Sequence, residues 1–228
     1  MQQISIVIPV LNDATALGRL LDDLDSILGI DAERIVVDGG SEDGSYELAR
    51  ERADYALRTA PGRARQLAVG VVAAHGRWIW MLHADTRVDG AAWRALRKAI
   101  ASDGAAWGRF DVRLSGREAA FRMIETLMNL RSRWSGICTG DQGIFVRRDL
   151  LELIDGVPDQ PLMEDIELTK RLRRYANPIC IDTTLGVSAR RWQQRGIAST
   201  VLLMWRLRLQ YFFGTPAEVL VREYYDGH

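Results

Sequence analysis

The sequence predicts an α/β protein: a mainly parallel sheet flanked by helices, with a further helical segment at the C-terminal end. Three observations carry that reading. Short β-branched or aromatic runs alternate with stretches whose apolar residues recur at helical spacing. Two of the runs end on an aspartate, Asp38 after Ile35-Val36-Val37 and Asp85 after the apolar run that begins at Trp78. Each aspartate is followed by a polar, glycine-containing turn. A βαβαβ order of this kind implies parallel strands with right-handed crossovers, and ligands of such sheets bind outside the carboxyl ends of the strands. A carboxylate there is placed to hold a hard cation bridging the oxygens of a diphosphate.

Taken in order, Ile4 to Ile8 forms the first strand, stopped by Pro9. Asn12 or Asp13 is placed to cap a helix whose Leu17, Leu20, Leu21 and Leu24 share one face. Ile35 to Val37 is the second strand, followed by Gly39-Gly40 and a turn ending at Gly44. Ser45 to Ala53 forms a helix, and a further helix runs from about Arg63 to Ala74 until Gly76 breaks it. The Trp78 run is the third strand, and about Ala91 to Ala101 the next helix. Beyond Gly104 the alternation weakens. Trp107 to Leu114 alternates like a strand, about Glu118 to Trp134 is helical, and a glycine-punctuated turn, Thr139 to Gly143, leads into Ile144-Phe145-Val146. Pro158 and Pro161 precede Glu164-Asp165, which open a helix carrying Leu168, Leu172 and Tyr175 on one face. Ile179-Cys180-Ile181 is a late strand, and about Gly196 to Phe213 the last helix.

The composition narrows the function classes. At 228 residues the chain is one large domain, or one with an appendage. Its 30 basic and 30 acidic residues balance, so no global field favours nucleic acid. Cys138 and Cys180 form no metal-ligand spacing and are expected as packed thiols. The start has neither a basic n-region nor a cleavable apolar segment, which makes the cytoplasm the expected compartment.

Five pieces in order resemble family 2 glycosyltransferases of the GT-A fold, a Rossmann-like mainly parallel sheet with flanking helices. They are Ile6 to Asn12, Val36 to Gly44, Gly62-Arg63-Ala64-Arg65-Gln66, His83-Ala84-Asp85, and Glu164-Asp165. The resemblance covers about residues 1–192, leaving 193–228 as a helical appendage. The particular forms of the Gly62, His83 and Gly140 motifs look most like a bacterial subgroup assigned to arsenosugar biosynthesis.

This resemblance implies an inverting transferase that moves a sugar from a nucleotide-diphosphate donor, expected to be a uridine one, to an acceptor hydroxyl. Pro9, Asn12, Asp38, Arg63, Arg65, His83 and Asp85 would surround the donor. Asp38 would accept a hydrogen bond from uracil N3, although a turn aspartate steadying Gly39-Gly40 is the plain alternative, and Asp43 could as readily cap a helix. Arg63 and Arg65 stand at a helix start, where basic side chains oppose the helix dipole and suit an anion. His83 occupies the first acidic position of the family's DxD motif, so its role stays open between ligand contact and packing. Asp85 keeps the second position, the one that binds Mg²⁺ or Mn²⁺.

Asp165 would be the general base, with Glu164 as its positioning neighbour, although acids also suit a helix start for stability alone. Asp141 and Gln142 are candidates for the donor sugar or acceptor. Arg191 and Trp192 resemble the end of the QxxRW motif, with Ser188 in place of its glutamine. Gly196 to Trp205 is too short to span a bilayer, so the last helix is expected to pack on the fold, join a homodimer, or lie on the inner membrane face, with Arg206 and Arg208 toward headgroups. A sugar-1-phosphate nucleotidyltransferase would want a basic glycine-rich loop where Pro9-Val10-Leu11-Asn12 stands. A nucleotide-sugar-binding protein without catalysis is the other alternative. The acceptor is not legible.

Overall fold

The computed structural model describes residues 3–29, 31–116, 118–190 and 196–226. The first half winds as β1 (Ile4–Val10), α1 (Ala14–Ile27), β2 (Ala32–Asp38), α2 (Ser45–Arg52), β3 (Tyr55–Arg58), α3 (Arg63–Ala73), β4 (Trp78–Met81) and α4 (Gly90–Ile100). Then follow β5 (Trp107–Leu114), α5 (Ala119–Ser135), a 3-10 turn at Gly140–Gln142, β6 (Phe145–Arg147), α6 (Arg148–Leu153), α7 (Glu164–Leu172), β7 (Ile179–Val187), α8 (Ile197–Phe212) and α9 (Ala217–Asp226).

Seven strands form one sheet in the order β3-β2-β1-β4-β6-β5-β7. β3, β2, β1 and β4 are mutually parallel, and β7 is parallel to β5. β6 alone is antiparallel, to β4 on one side and β5 on the other. That reversal matters for position. Because Trp80 pairs with Phe145, β6 enters the sheet at the edge where β4 leaves it. The turn ahead of β6 therefore lies beside the residues that follow β4.

Both faces of the sheet are covered, which is why the strands read as continuous apolar runs. Ile4, Ile6, Ile8 and Trp80 pack on one side with Leu17, Leu20, Leu21 and Leu24 of α1. Val7, Ile35, Val37, Ile79 and Met81 pack on the other with Leu67 of α3. Helix α3 approaches closely at Gly70, where a Cβ would stand 2.4 Å from Val7 Cγ1. Cys138 is buried and Cys180 half-buried, and neither forms a disulfide.

Several elements depart from expectation. Pro9 does not stop β1, which continues to Val10. Gly39 N–H donates to Val10 O on the β2 side, whereas Leu82 N–H donates to Val7 O on the β4 side. Alternation puts the Pro9 nitrogen on the β4 side, beyond Met81 where β4 ends, so its missing N–H costs no ladder bond. β3, α6 and α9 carried no sequence signal that separated them from loops or from their neighbours. Tyr175 lies past the end of α7 and is exposed, and β7 runs six residues further than Ile181. The last helices pack on α7: Leu207, Leu220 and Tyr224 form one cluster with Leu162, Met163 and Ile166. Among the described residues no helix is long and apolar enough to cross a membrane.

Candidate active site

At the carboxyl edge of β4 the chain turns, Thr86 N–H donating to His83 O, and presents Asp85 half-buried. The 139–143 turn meets it there. His83 Nδ1 lies 3.1 Å from Asp141 Oδ1, and the imidazole is so close to the turn that a Cβ at Gly140 would stand 2.4 Å from His83 Nε2. The histidine at the first acidic position thus braces the turn by packing and by the close approach of its Nδ1 to the Asp141 carboxylate. Burial raises the Asp85 carboxyl above its ordinary value; the nearby His83 pulls it back, and Asp141 and Asp13 push it up again.

No lysine or arginine among the described residues makes an ion pair with Asp85, and none of their His, Cys, Asp and Glu side chains form a group of three able to hold a metal ion. A lone carboxylate without an ion-pair partner fits a cation whose remaining ligands come from phosphate and water, the usual manner of Mg²⁺ in nucleotide sites. It does not fit a resident, fully protein-ligated ion.

The base candidate is held from two directions. Gly140 N–H donates to Asp165 Oδ2 at 2.8 Å, and Ile166 N–H to Asp165 Oδ1 at 2.7 Å. Asp165 is half-buried in the first turn of α7, so the 139–143 turn bridges it to His83 and the β4 edge. Ahead of it Met163 adopts φ 63, a left-handed conformation unusual for a residue other than glycine, with its side chain buried in the cluster of α7, α8 and α9.

Arg63 is tied to protein through its Nε, which forms an ion pair with the buried Glu164. Although 38% of the Arg63 side chain meets solvent, its guanidinium lies among carboxylates: burial works against the charge, but Glu164, Asp165 and Asp141 more than offset this and keep it cationic. The anion demanded by a basic residue at the start of α3 is Glu164. Arg65, two residues on, is exposed and makes no ion pair among the described residues.

The β1 and β2 ends form a second cluster. Asp38 is fully buried, and its carboxylate accepts from Gly40 N–H at 3.0 Å and Ser41 N–H at 3.1 Å, with Arg58 Nε 3.5 Å away. Its carboxylate steadies the turn, as the plain alternative had it. Asn12, at φ 50, ties the two loops together: its N–H donates to Ser41 Oγ and its Oδ1 accepts from Glu42 N–H, both at 2.8 Å. Neither Asn12 nor Asp13 caps α1 through its side chain; Asp43 does so from the other loop, accepting from Ala14 N–H at 2.8 Å as well as from Ser45. Gln66, which carried no separate signal, joins the strand ends by donating to Val10 O and Val37 O at 2.7 and 2.8 Å.

Gln142 is a correction. It is fully buried, its Nε2 donates to Ser132 Oγ at 2.9 Å and its Oε1 accepts from Thr139 N–H, so its amide serves the turn and not a ligand. Arg191 and Trp192 lie outside the described residues. The neighbouring Arg190 is placed instead: its guanidinium pairs with Asp13 at 2.8 Å, and Asp13 first, then Asp85, strengthens its charge. A cleft of about 990 Å³ opens between Asp85, Arg190, Arg19, Arg113 and Arg122. It contains neither Asp38, Arg65 nor Asp165, so of the residues expected around the donor only Asp85 lines it.

With this geometry in place, comparison with known proteins is informative. The sequence profile described as glycosyl transferase family 2 matches residues 5–154. No curated protein matches the chain. Among solved structures, S. aureus TarS 1–349 is similar at 18% identity and a TM-score of 0.66, over 82% of this chain and 61% of that one. The mannosyltransferase PcManGT from Pyrobaculum calidifontis, in complex with GDP-Man and Mn²⁺, gives 19% and 0.62, over 90% of this chain and 60% of that one. Glucosyl-3-phosphoglycerate synthase from Mycobacterium tuberculosis, with Mg²⁺ and UDP, gives 20% and 0.61, over 82% and 70%. These likenesses show the shared GT-A fold. The chain spans about three fifths of the TarS 1–349 structure.

Proposed function

The chain belongs to glycosyl transferase family 2, and from that premise we propose that it transfers a glycosyl group from a nucleotide-diphosphate sugar to an acceptor hydroxyl, with inversion. The observation that carries this is the bridge at the sheet edge: one turn links the half-buried Asp85, through His83 and Asp141, to Asp165, through the Gly140 N–H. Two carboxylates with different surroundings stand on either side of it, one suited to a cation and one oriented by two backbone N–H groups.

In this reading Asp165 accepts the proton of the acceptor hydroxyl as its oxygen attacks the anomeric carbon, and one displacement inverts that carbon. Glu164, bound to Arg63, fixes the start of α7 and hence the aim of Asp165. Asp85 would hold Mg²⁺ or Mn²⁺ together with the donor diphosphate; when bound there, such an ion neutralises charge on the departing group. The exposed Arg65 and the Asp38 turn flank the path of the nucleotide, Asp38 shaping the base pocket through Gly40 and Ser41. A uridine donor is our reading, supported by the UDP complexes of TarS and of the glucosyl-3-phosphoglycerate synthase. The Gly62 to Gln66 and Gly140 to Gly143 motifs point, within the family, to the arsenosugar-associated subgroup.

Thermal stabilisation by a panel of nucleotide sugars, each with and without Mn²⁺, tests the proposal. A uridine sugar that stabilises the protein only with metal supports it. A panel without any metal-dependent hit refutes it.

A further inference from the structure

Outside the groups used above, two arginines stand in a seam of apolar side chains. On α5, Phe121, Ile124 and Met128 face the sheet, and the next position of that face is Arg131. On α8, Val201 packs into the same cluster as Ile124 and Met128, and Arg208 follows it two helical turns on. Next to Arg208, Leu207 is fully buried against Met163 and Ile166, at the start of α7. The seam thus carries both arginines to the end of α7 that bears Asp165.

Neither guanidinium makes an ion pair among the described residues, and Arg131 Nε and Nη2 are buried without a hydrogen-bond partner. Buried donors of a charged group are costly to leave unmade, so the unpartnered donors of Arg131, with a second guanidinium beside them, mark a place for an anion. The electrostatics agree. Burial first, and then Arg208, holds the Arg131 guanidinium down to about 10, and burial holds Arg208 down as well, while Asp165 and Asp141 favour the charge of both.

We propose that Arg131 and Arg208 form an oxyanion subsite for the acceptor, so that the substrate receiving the sugar carries a carboxylate or phosphate close to its reacting hydroxyl. The proposal rests on the transferase reading above. The planar forks of two guanidiniums suit either oxyanion through paired N–H···O bonds. Anchored there, the acceptor would direct its hydroxyl toward Asp165, which cannot itself hold an anion.

Titration of the whole protein with inorganic phosphate and with acetate tests this, in the presence of saturating UDP and Mn²⁺ so that the donor phosphate site is filled. Binding that weakens about 10-fold or more in R131Q and in R208Q, with UDP affinity kept, is the expected result. A preference for phosphate or for acetate names the oxyanion. R131K and R208K, which keep the charge, retain part of the affinity and stand in if a glutamine variant fails to fold. Affinity unaltered by these substitutions, or no binding of either probe to the wild type at millimolar concentration, overturns the subsite. If UDP itself fails to bind, the donor assignment is what fails, and the phosphate titration of R131Q against wild type still decides the subsite.

Discussion

Arg63 and Glu164, 101 residues apart in the chain, form the ion pair that joins the start of α3 to the start of α7. Each is the first residue of its helix. The pair therefore fixes the distance between the helix beside the nucleotide loops and the helix bearing the base candidate. Arg63→Gln is expected to lower turnover by about 10- to 100-fold, the scale of a small misplacement of reacting groups, with UDP affinity nearly unchanged. Calorimetry beside steady-state kinetics checks this. A loss confined to UDP affinity would mean that Arg63 leaves Glu164 to bind the donor.

Asp165→Asn should cost at least about 100-fold in transfer, within the range of general-base catalysis. The amide keeps the size of the side chain, but its Oδ1 can accept only one of the Ile166 and Gly140 N–H groups while Nδ2 faces the other donor, so the melting temperature should fall modestly and donor binding stay close to wild type. Near-normal transfer by the folded variant removes Asp165 from the base role.

Asp85 gives opposite effects on stability and on metal response. Its carboxyl is raised in the folded protein, above all by burial. A carboxyl raised on folding favours the protonated fold, so wild-type stability falls as pH climbs from the unfolded value, about 3.9, through the folded one. Without metal, Asp85→Asn should therefore melt higher than wild type at pH 7, and the gain should vanish near pH 3. The same variant should lose the stabilisation that UDP with Mn²⁺ gives the wild type. Equal melting of both proteins across the pH range would show that Asp85 is not under this strain.

The His83–Gly140 contact predicts that Gly140→Ala damages the bridge, because a Cβ 2.4 Å from Nε2 must push the imidazole away. Turnover should fall while the melting temperature moves little, and in G140A/H83A, which lacks the brace altogether, turnover should not recover. Kinetics of the two variants against wild type decides it.

The C-terminal helices are expected to belong to the fold. A chain ending near Gln194 loses Leu207, Leu220 and Tyr224 from the cluster under Leu162, Met163 and Ile166. Fully buried side chains of this size contribute roughly 1.5–3 kcal/mol each, so the truncated protein should melt far lower. The intact protein should ignore anionic vesicles in sedimentation, because Arg206 pairs with Glu223 of α9 and Arg208 turns inward beside Arg131. Recovery of the intact protein in the vesicle pellet would reinstate the membrane reading.

What could be foreseen from the residues follows the range of the interactions. The strand end at Asp38 was legible because a β-branched run stopping at a carboxylate is a local pattern, whereas β4 stops at Met81 and Asp85 stands in the turn four residues beyond it. The leucines of α1 were legible by spacing, and all four are fully buried. β3 was not, being a four-residue edge strand with an exposed tyrosine and no alternation to display. The direction of β6 is invisible in Phe145-Val146-Arg147, since strand polarity is fixed by partners. Arg63 signalled an anion correctly, but no local pattern could name a carboxylate on another helix. Gln142 has the look of a binding-turn residue, and only the Ser132 hydroxyl beneath it shows that its amide is already spent.

Met163 ties these observations to heat. Its φ of 63 places it in a backbone region that costs of order 1–3 kcal/mol outside glycine and lasts only while the surroundings enforce it. Those surroundings are the side chains of α8 and α9, while the residues just after it are Glu164 and Asp165. On warming, the grip of two terminal helices should slacken before the seven-stranded sheet yields. The loop would then relax toward ordinary backbone angles and swing the base away from its target. Inactivation should accordingly precede melting, and return on cooling.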